Sequence, residues 1–200
     1  VNVDAGRERG RRNSVVGHCA AWLHRAMTDG VSVRPARPGE LSELRAIELA
    51  AGELFREIGM VAVADHAPPP LSVMAEYQRD GRAWVAADQD DRPVGYILVL
   101  LVDGCAHIEQ VSIHPAQSRR GIGRLLIDEV DRWAAVQGLP ALTLTTFRSV
   151  AWNGPYYARL GFRELSPAEF TPRLEEIRAA ETAMGLDPAD RICMRRDLTG

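Results

Sequence analysis

The chain has 200 residues, 46% of them hydrophobic and 26% charged, which suffices for one sizeable core and is short for two. A formal net charge of −3 and a sequence pI near 6.0 argue against nucleic acid as a partner, since no excess of positive charge exists to neutralise phosphates. All 24 basic side chains are arginine, which excludes the phosphate-loop lysine of nucleotide hydrolases and any Schiff-base chemistry.

Residues 1–26 set arginines ahead of a short apolar run, as a secretory signal does, but Gly17 and His18 interrupt it, His24 and Arg25 close it, and no small-residue cleavage site follows. They read as a translated upstream leader or a disordered arm, with a single domain expected over residues 31–198. Cys19, Cys105 and Cys193 are odd in number and too far apart for a zinc site, so free thiols in a reducing cytoplasm are expected and no metal is required. No stretch approaches the roughly 18 consecutive apolar residues that span a bilayer.

Within the domain, "VSVRPA" alternates as a short strand, and Leu41, Leu44, Ile47 and Leu54 or Phe55 then recur at helical spacing. Pro68, Pro69 and Pro70 make "MVAVADHAPPPLS" a stiff loop, after which "SVMAEYQRDG" returns to helix and stops at Gly81. "RAWVAAD", "RPVGYILVLLVD" and "CAHIEQVSIHP", separated by "DQDD" and "DG", read as an antiparallel meander. From Gly121 the helical period resumes through Ile122, Leu125, Leu126, Val130 and Trp133 and ends at Gly138 and Pro140. A strand "ALTLTTF", a short helix "NGPYYARLG" and two strands "FREL" and "RICMRRDL" complete the chain, the last two joined by a helix that Thr171 could cap with Pro172 at its first position. The expected class is α+β in α/β/α layers, with a mixed, mostly antiparallel sheet of about seven strands and flanking helices.

"QSRRGIGRLLIDEV" puts arginines and glycines between a strand and a helix. A helix start exposes N–H groups and the positive end of the dipole, so an anion there is stabilised by both. Gly121 and Gly123 admit a ligand to the backbone, Arg119, Arg120 and Arg124 add charge, and a pyrophosphate is the natural match. A dinucleotide fingerprint is excluded by the missing third glycine and by the antiparallel strands that precede the loop.

Taken together, "HIEQVSIHPAQSRRGIGRLLIDEV" and "WNGPYYARLGF" resemble the GCN5-related N-acetyltransferase (GNAT) superfamily over about residues 31–198. The resemblance implies that the backbone from Arg119 through Arg120, Gly121, Ile122 and Gly123 to Arg124 holds the pyrophosphate of acetyl-coenzyme A. It further implies that Val111, Ser112 and Ile113 offer backbone groups to the pantetheine arm, that "ALTLTTF" splays away to open a slot for it, and that Asn153 contacts the coenzyme. The family's Arg or Gln three residues before the first glycine is replaced here by Ser118. Tyr157, four residues before Gly161, matches the tyrosine that would protonate the departing thiolate; Tyr156 is adjacent but points about 100° away around a helix.

The implied reaction is transfer of an acetyl group to a primary amine through a tetrahedral intermediate. It needs a base, because an amine of pKa near 10 is mostly protonated at neutral pH. Glu109 is the expected base, with His107 as the alternative; regular alternation puts Glu109 on the face of His107 and Val111. A backbone N–H near Val111 is the expected oxyanion donor. The acceptor, a small molecule or amino-acid-like amine with a peptide N-terminus also compatible, would be selected by "ELFREIGMVAVADHAPPPLS" and the insertion "LSPAEFTPRLEEIRAAETAMGLDPAD". A non-catalytic acyl-coenzyme A sensor and a nucleotide-binding regulatory domain are the competing readings; neither a membrane nor nucleic acid is expected as a partner, and a homodimer is left open.

Overall fold

Eight strands form one sheet in the order β1-β2-β3-β4-β5-β6-β8-β7 in the computed structural model, which describes residues 27–28, 30–187 and 189–198. The leader or arm expected over residues 1–26 lies outside the described residues. The strands are β1 (Met27–Thr28), β2 (Val31–Pro35), β3 (Ala83–Ala87), β4 (Pro93–Val102), β5 (Cys105–Ile113), β6 (Ala141–Phe147), β7 (Arg163–Glu164) and β8 (Arg191–Asp197). The helices are α1 (Leu41–Glu57), α2 (Val61–Ala64), α3 (Leu71–Arg79), α4 (Ile122–Val136), α5 (Gly154–Arg159) and α6 (Pro172–Ala183).

The seven strands expected from β-branched and aromatic runs are β2 to β8, and β1 adds a two-residue pairing to β2. β5 and β6 are the parallel pair, the other neighbours being antiparallel. A parallel pair needs a crossover, and α4 is that crossover. The segment before the proline run holds one helical turn, α2, where the sequence suggested only loop. Thr171 is the N-cap of α6 with Pro172 first, as expected, but its hydroxyl binds Asp103 rather than capping the helix.

The sheet is covered on both faces, and alternation along β4 assigns the layers. Ile97 and Val99 pack with Ile122, Leu126, Ile127 and Val130 of α4. Tyr96 and Leu98 pack with Leu44 and Ile47 of α1 and Met74 and Tyr77 of α3. A smaller cluster of Val102, Leu165, Leu174 and Cys193 seats α6 on the second of these faces. Burying a side chain such as Leu126, which is 0% exposed, contributes about 1.5–3 kcal/mol, so α4 is fixed firmly against the strands whose ends it bridges.

Candidate active site

β5 and β6 are in register only at Ala106–Leu142, His107–Thr143 and Ile108–Leu144. Beyond that point β6 stays with β8 as far as Phe147, while β5 stays with β4 as far as Ile113. The strands therefore part, and the edge of β5 that faces β6 is left without a strand partner from Glu109 onward. Main-chain donors and acceptors that are not satisfied by a neighbouring strand can receive an extended ligand.

The parting coincides with a shift in register. Leu98 opposes Gln110, but Val99 opposes Ile108, so β5 carries one residue more than β4 at Glu109. A bulge of this kind breaks the two-residue alternation and re-aims a side chain. Val111 and Ile113 pack on the α4 face with Ala106 and Ile108, whereas Gln110 and Ser112 oppose Leu98 and Tyr96 of the α1 face. Glu109 thus shares the face of His107, as expected, but not that of Val111, which the bulge has turned to the other side of the sheet. Ser112 is buried and its hydroxyl accepts from Gln110 Nε2 at 2.8 Å, on the side where the Tyr96 hydroxyl donates to Glu48.

The loop after β5 folds for local reasons. His114 acts as the expected turn residue, its Nδ1 accepting from the Ala116 N–H at 3.3 Å. Ser118 closes the turn of Pro115–Gln117, and Arg120 reaches back to the Gln117 side chain. Arg119 and Gly121 are both left-handed, at φ 64° and 76°. Two left-handed residues separated by one curl the backbone into the kind of concavity that binds anions, and a left-handed arginine is a strained residue at a functional position. The Gly121 carbonyl accepts the first helical bond, from the Leu125 N–H at 3.2 Å, so the N–H groups of Ile122, Gly123 and Arg124 open α4 with no carbonyl one turn earlier to bind. Ile122 is buried, while Arg119, Arg120 and Arg124 are exposed around the helix start. These free donors, their added charge and the open space at Gly121 suit a diphosphate.

α5 supplies the second wall. A Cβ on Gly154 would lie 2.9 Å from the Arg148 carbonyl and 3.0 Å from that of Phe147, so only glycine lets α5 start against the end of β6. Asn153 is its N-cap, half-buried, with its carbonyl accepting from the Tyr157 N–H at 3.0 Å and its side chain making no cap bond. The Tyr157 ring is buried and packs edge-on against Phe162, with centroids 5.7 Å apart. Its hydroxyl makes no hydrogen bond to a described residue and is therefore free to meet a ligand. Burial, and then the neighbouring Tyr156, raise its pKa above the ordinary phenol value. The group therefore stays a protonated hydrogen-bond donor.

The two candidate bases diverge. His107 is 1% exposed, shares a hydrogen bond between Nδ1 and Thr143 Oγ1 at 2.9 Å, and burial lowers its pKa to about 4. It is neutral, sealed and out of reach of an acceptor. Glu109 is accessible to solvent, yet desolvation raises its pKa; the Glu181 and Glu48 charges act in the same sense and Arg191 opposes them. Glu181 itself remains ionised: desolvation works against it, but Arg191, Thr145 and Arg178 hydrogen-bond to it and lower its pKa. The Arg191 guanidinium lies 4.7 Å from the Phe147 ring centroid, Phe147 meets Phe55 at 5.8 Å, and Phe55 meets Trp152 at 5.7 Å. An aromatic wall thus joins the end of α1 to the end of β6, and an ion cluster on α6 and β8 sets the field at Glu109.

The sequence pointed to Glu109, Tyr157 and the α4 loop but not to Glu48, Glu181, Arg191 or Gly154, whose roles depend on which elements meet. Of the insertion expected to select the acceptor, Glu181 acts on the Glu109 carboxyl and is held by Arg178 of the same segment. Among the described residues no group of three or more His, Cys, Asp or Glu side chains is placed to hold a metal ion, and no helix is long and apolar enough to cross a membrane.

A model of the acetyltransferase (GNAT) family matches residues 46–162. An acetyltransferase of the GNAT family from Staphylococcus aureus Mu50 is 16% identical with a TM-score of 0.63, over 84% of this chain and 99% of that one. The ribosomal-protein-S18-alanine N-acetyltransferase from Escherichia coli is 16% identical with a TM-score of 0.59, over 85% of this chain and 95% of that one. Rv2747 from Mycobacterium tuberculosis, in complex with CoA and NLQ, is 22% identical with a TM-score of 0.60, over 84% of this chain and 99% of that one. At these identities the structural likeness is one of fold.

Proposed function

Since the chain belongs to the acetyltransferase (GNAT) family and is an acetyl-coenzyme A-dependent acyltransferase, we propose that it acetylates the primary amine of a small-molecule or amino-acid-like acceptor by direct attack. The observation that carries this reading is the bulge at Glu109, where a carboxyl of raised pKa stands at the point at which β5 and β6 separate. A carboxylate whose pKa lies nearer that of the working pH is a better proton acceptor than an ordinary surface glutamate.

In the proposed reaction the α4 N-terminus, with the backbone of Arg119–Arg124, holds the diphosphate of the donor, and Val111–Ile113 and Asn153 align its pantetheine arm. Glu109 takes the proton of the attacking ammonium, directly or through a water. The amine nitrogen bonds the acetyl carbon, a β5 N–H near Val111 stabilises the oxyanion, and the carbon–sulfur bond breaks as the intermediate collapses. Tyr157 donates a hydrogen bond to the departing sulfur, and the second proton, which the nitrogen sheds as it becomes an amide, neutralises the thiolate by way of water. The raised pKa of Tyr157 makes it a hydrogen-bond donor that steadies the thiolate more than an acid that hands its proton over completely.

For the acceptor, the wall of Phe55, Phe147 and Trp152 supports an apolar group beside the reacting amine rather than a second cation. Thiol release from acetyl-coenzyme A, measured against a panel of monoamines, amino acids, polyamines and short peptides, tests this. Release with apolar primary amines and little with polyamines is the expected result; no release with any acceptor in a broad panel defeats the proposal.

A further inference from the structure

Gly123 has no backbone reason to be glycine. Its φ lies outside the left-handed range, and glycine in a helix costs about 0.5–1 kcal/mol relative to alanine. The reason lies in α5: a Cβ on Gly123 would stand 2.8 Å from the Tyr156 hydroxyl and 3.6 Å from the ring carbon that bears it. Cα–Cβ bonds in a helix tilt toward its N-terminus. A hydroxyl 2.8 Å from that Cβ position therefore stands against the first turn of α4, on the side of Gly123 that leans toward the helix start.

The phenol is placed there by packing. Tyr156 stands edge-on to Tyr157 with centroids 5.5 Å apart, and its ring packs against the same core as α4. Its hydroxyl hydrogen-bonds no described residue and is not sealed from solvent. A donor without a partner among the described residues, held by a half-buried ring beside the first turn of α4, is arranged for a ligand.

We propose that the Tyr156 hydroxyl is a diphosphate ligand of this enzyme, donating a hydrogen bond to the same anion that the start of α4 receives, and that Gly123 is kept small to admit it. This rests on the reading that α4 binds the diphosphate of the donor. Burial, and then Asp128, raise the phenol pKa to about 12 against the opposing pull of Arg124 and Arg159, so the group is protonated and donates throughout the physiological range. Tyr156 and Tyr157 then divide one short helix between two tasks, the first holding the donor's phosphates and the second facing its sulfur.

The test is binding rather than turnover. Dissociation constants of acetyl-coenzyme A, its 3′-dephospho form and S-acetylpantetheine are measured for the wild type and Tyr156→Phe by ligand-observed NMR titration, which reaches millimolar affinities. Loss of a hydrogen bond to a charged group weakens binding by at least about tenfold. That loss is expected for both diphosphate-containing ligands and not for S-acetylpantetheine, with the melting temperature unchanged. Gly123→Ala, which pushes the hydroxyl away, is expected to weaken acetyl-coenzyme A similarly and to add little to Tyr156→Phe in the double variant. Equal affinity of wild type and Tyr156→Phe for acetyl-coenzyme A overturns the proposal, as does a loss of the same size with S-acetylpantetheine. If the wild type itself fails to prefer acetyl-coenzyme A over S-acetylpantetheine, the α4 reading fails and the proposal with it.

Discussion

Gly121→Asp puts a carboxylate where the donor's diphosphate is placed, and its effects on folding and on binding separate. At φ 76° a residue with a Cβ costs about 1–2 kcal/mol. The new Cβ meets no atom within 4 Å, so no steric term adds to this. A negative charge at a helix N-terminus returns about 0.3–1 kcal/mol. The net loss of stability is then about 1 kcal/mol, a fall of about 2–4 °C in melting temperature for a chain of this size. For binding, a carboxylate about 4 Å from one phosphate charge at an effective dielectric of 20 is repelled by about 4 kcal/mol before salt screening. Screening at this exposed site to about half that leaves about 2 kcal/mol, or roughly thirtyfold weaker acetyl-coenzyme A. Gly121→Ala carries the backbone strain without the charge and should remain within about threefold of wild type, well below the factor of ten that 1.4 kcal/mol represents. Isothermal titration at low and high salt reads both, and the gap between the variants should narrow as salt rises. Unchanged affinity in Gly121→Asp, or equal losses in the two variants, would refute the placement of the diphosphate at α4.

Glu109→Gln should lower kcat/KM at neutral pH by about 10² or more and remove the acid limb of the pH–rate profile. In the wild type that limb lies above the usual carboxylate range, because desolvation raises the Glu109 pKa and activity is lost as pH falls through it; a limb that persists in Glu109→Gln eliminates Glu109 as the base. Tyr157→Phe keeps the ring packed on Phe162 and should reduce kcat by roughly 10- to 100-fold with acetyl-coenzyme A affinity unchanged. A fall in affinity without a fall in kcat would reassign it as a binding residue. His107 is buried neutral, with a folded pKa of about 4 against 6.5 for the free side chain, so its contribution is fully present above pH 6.5 and is lost as pH drops toward 4. The loss is on the order of 3 kcal/mol. Urea unfolding at pH 7 and pH 4.5 should show it in the wild type and show a flatter dependence in His107→Gln; equal slopes would mean that the imidazole is not neutral in the fold.

Part of this architecture is written locally. The α1 stripe of Leu41, Leu44 and Ile47, the meander of β3 to β5 and the apolar face of α4 each follow from periodicity; the α1 stripe is buried, as are Ile122, Leu126 and Val130 of α4, while Leu125 and Trp133 are half-buried. Gly121 before an apolar helix announces an anion site because that property belongs to a few consecutive backbone groups. The motif that names Tyr157 and Asn153 has a spacing that falls within one short helix, and the structure places both residues at α5.

What periodicity could not carry is where strands part and which side chains meet across the sheet. The alternation that put Glu109 and Val111 on one face fails at the bulge, since one unpaired residue on β5 reverses the parity of everything after it, and the extra residue is visible only against β4. The Glu109 pKa is raised first by desolvation and then by Glu181, more than 70 residues away in sequence, and Glu48 on α1, against the opposing charge of Arg191. Gly123, read as leaving room for a ligand, leaves room for Tyr156, 33 residues downstream. The sequence by itself determined the main helices and strands and, through its motifs, the acetyltransferase family, because each rests on short-range spacing. The aim of Glu109, the acidity of Tyr157 and the closeness of the Tyr156 hydroxyl to Gly123 were decided by the tertiary structure, because orientation and desolvation are set by neighbours that sequence distance does not reveal.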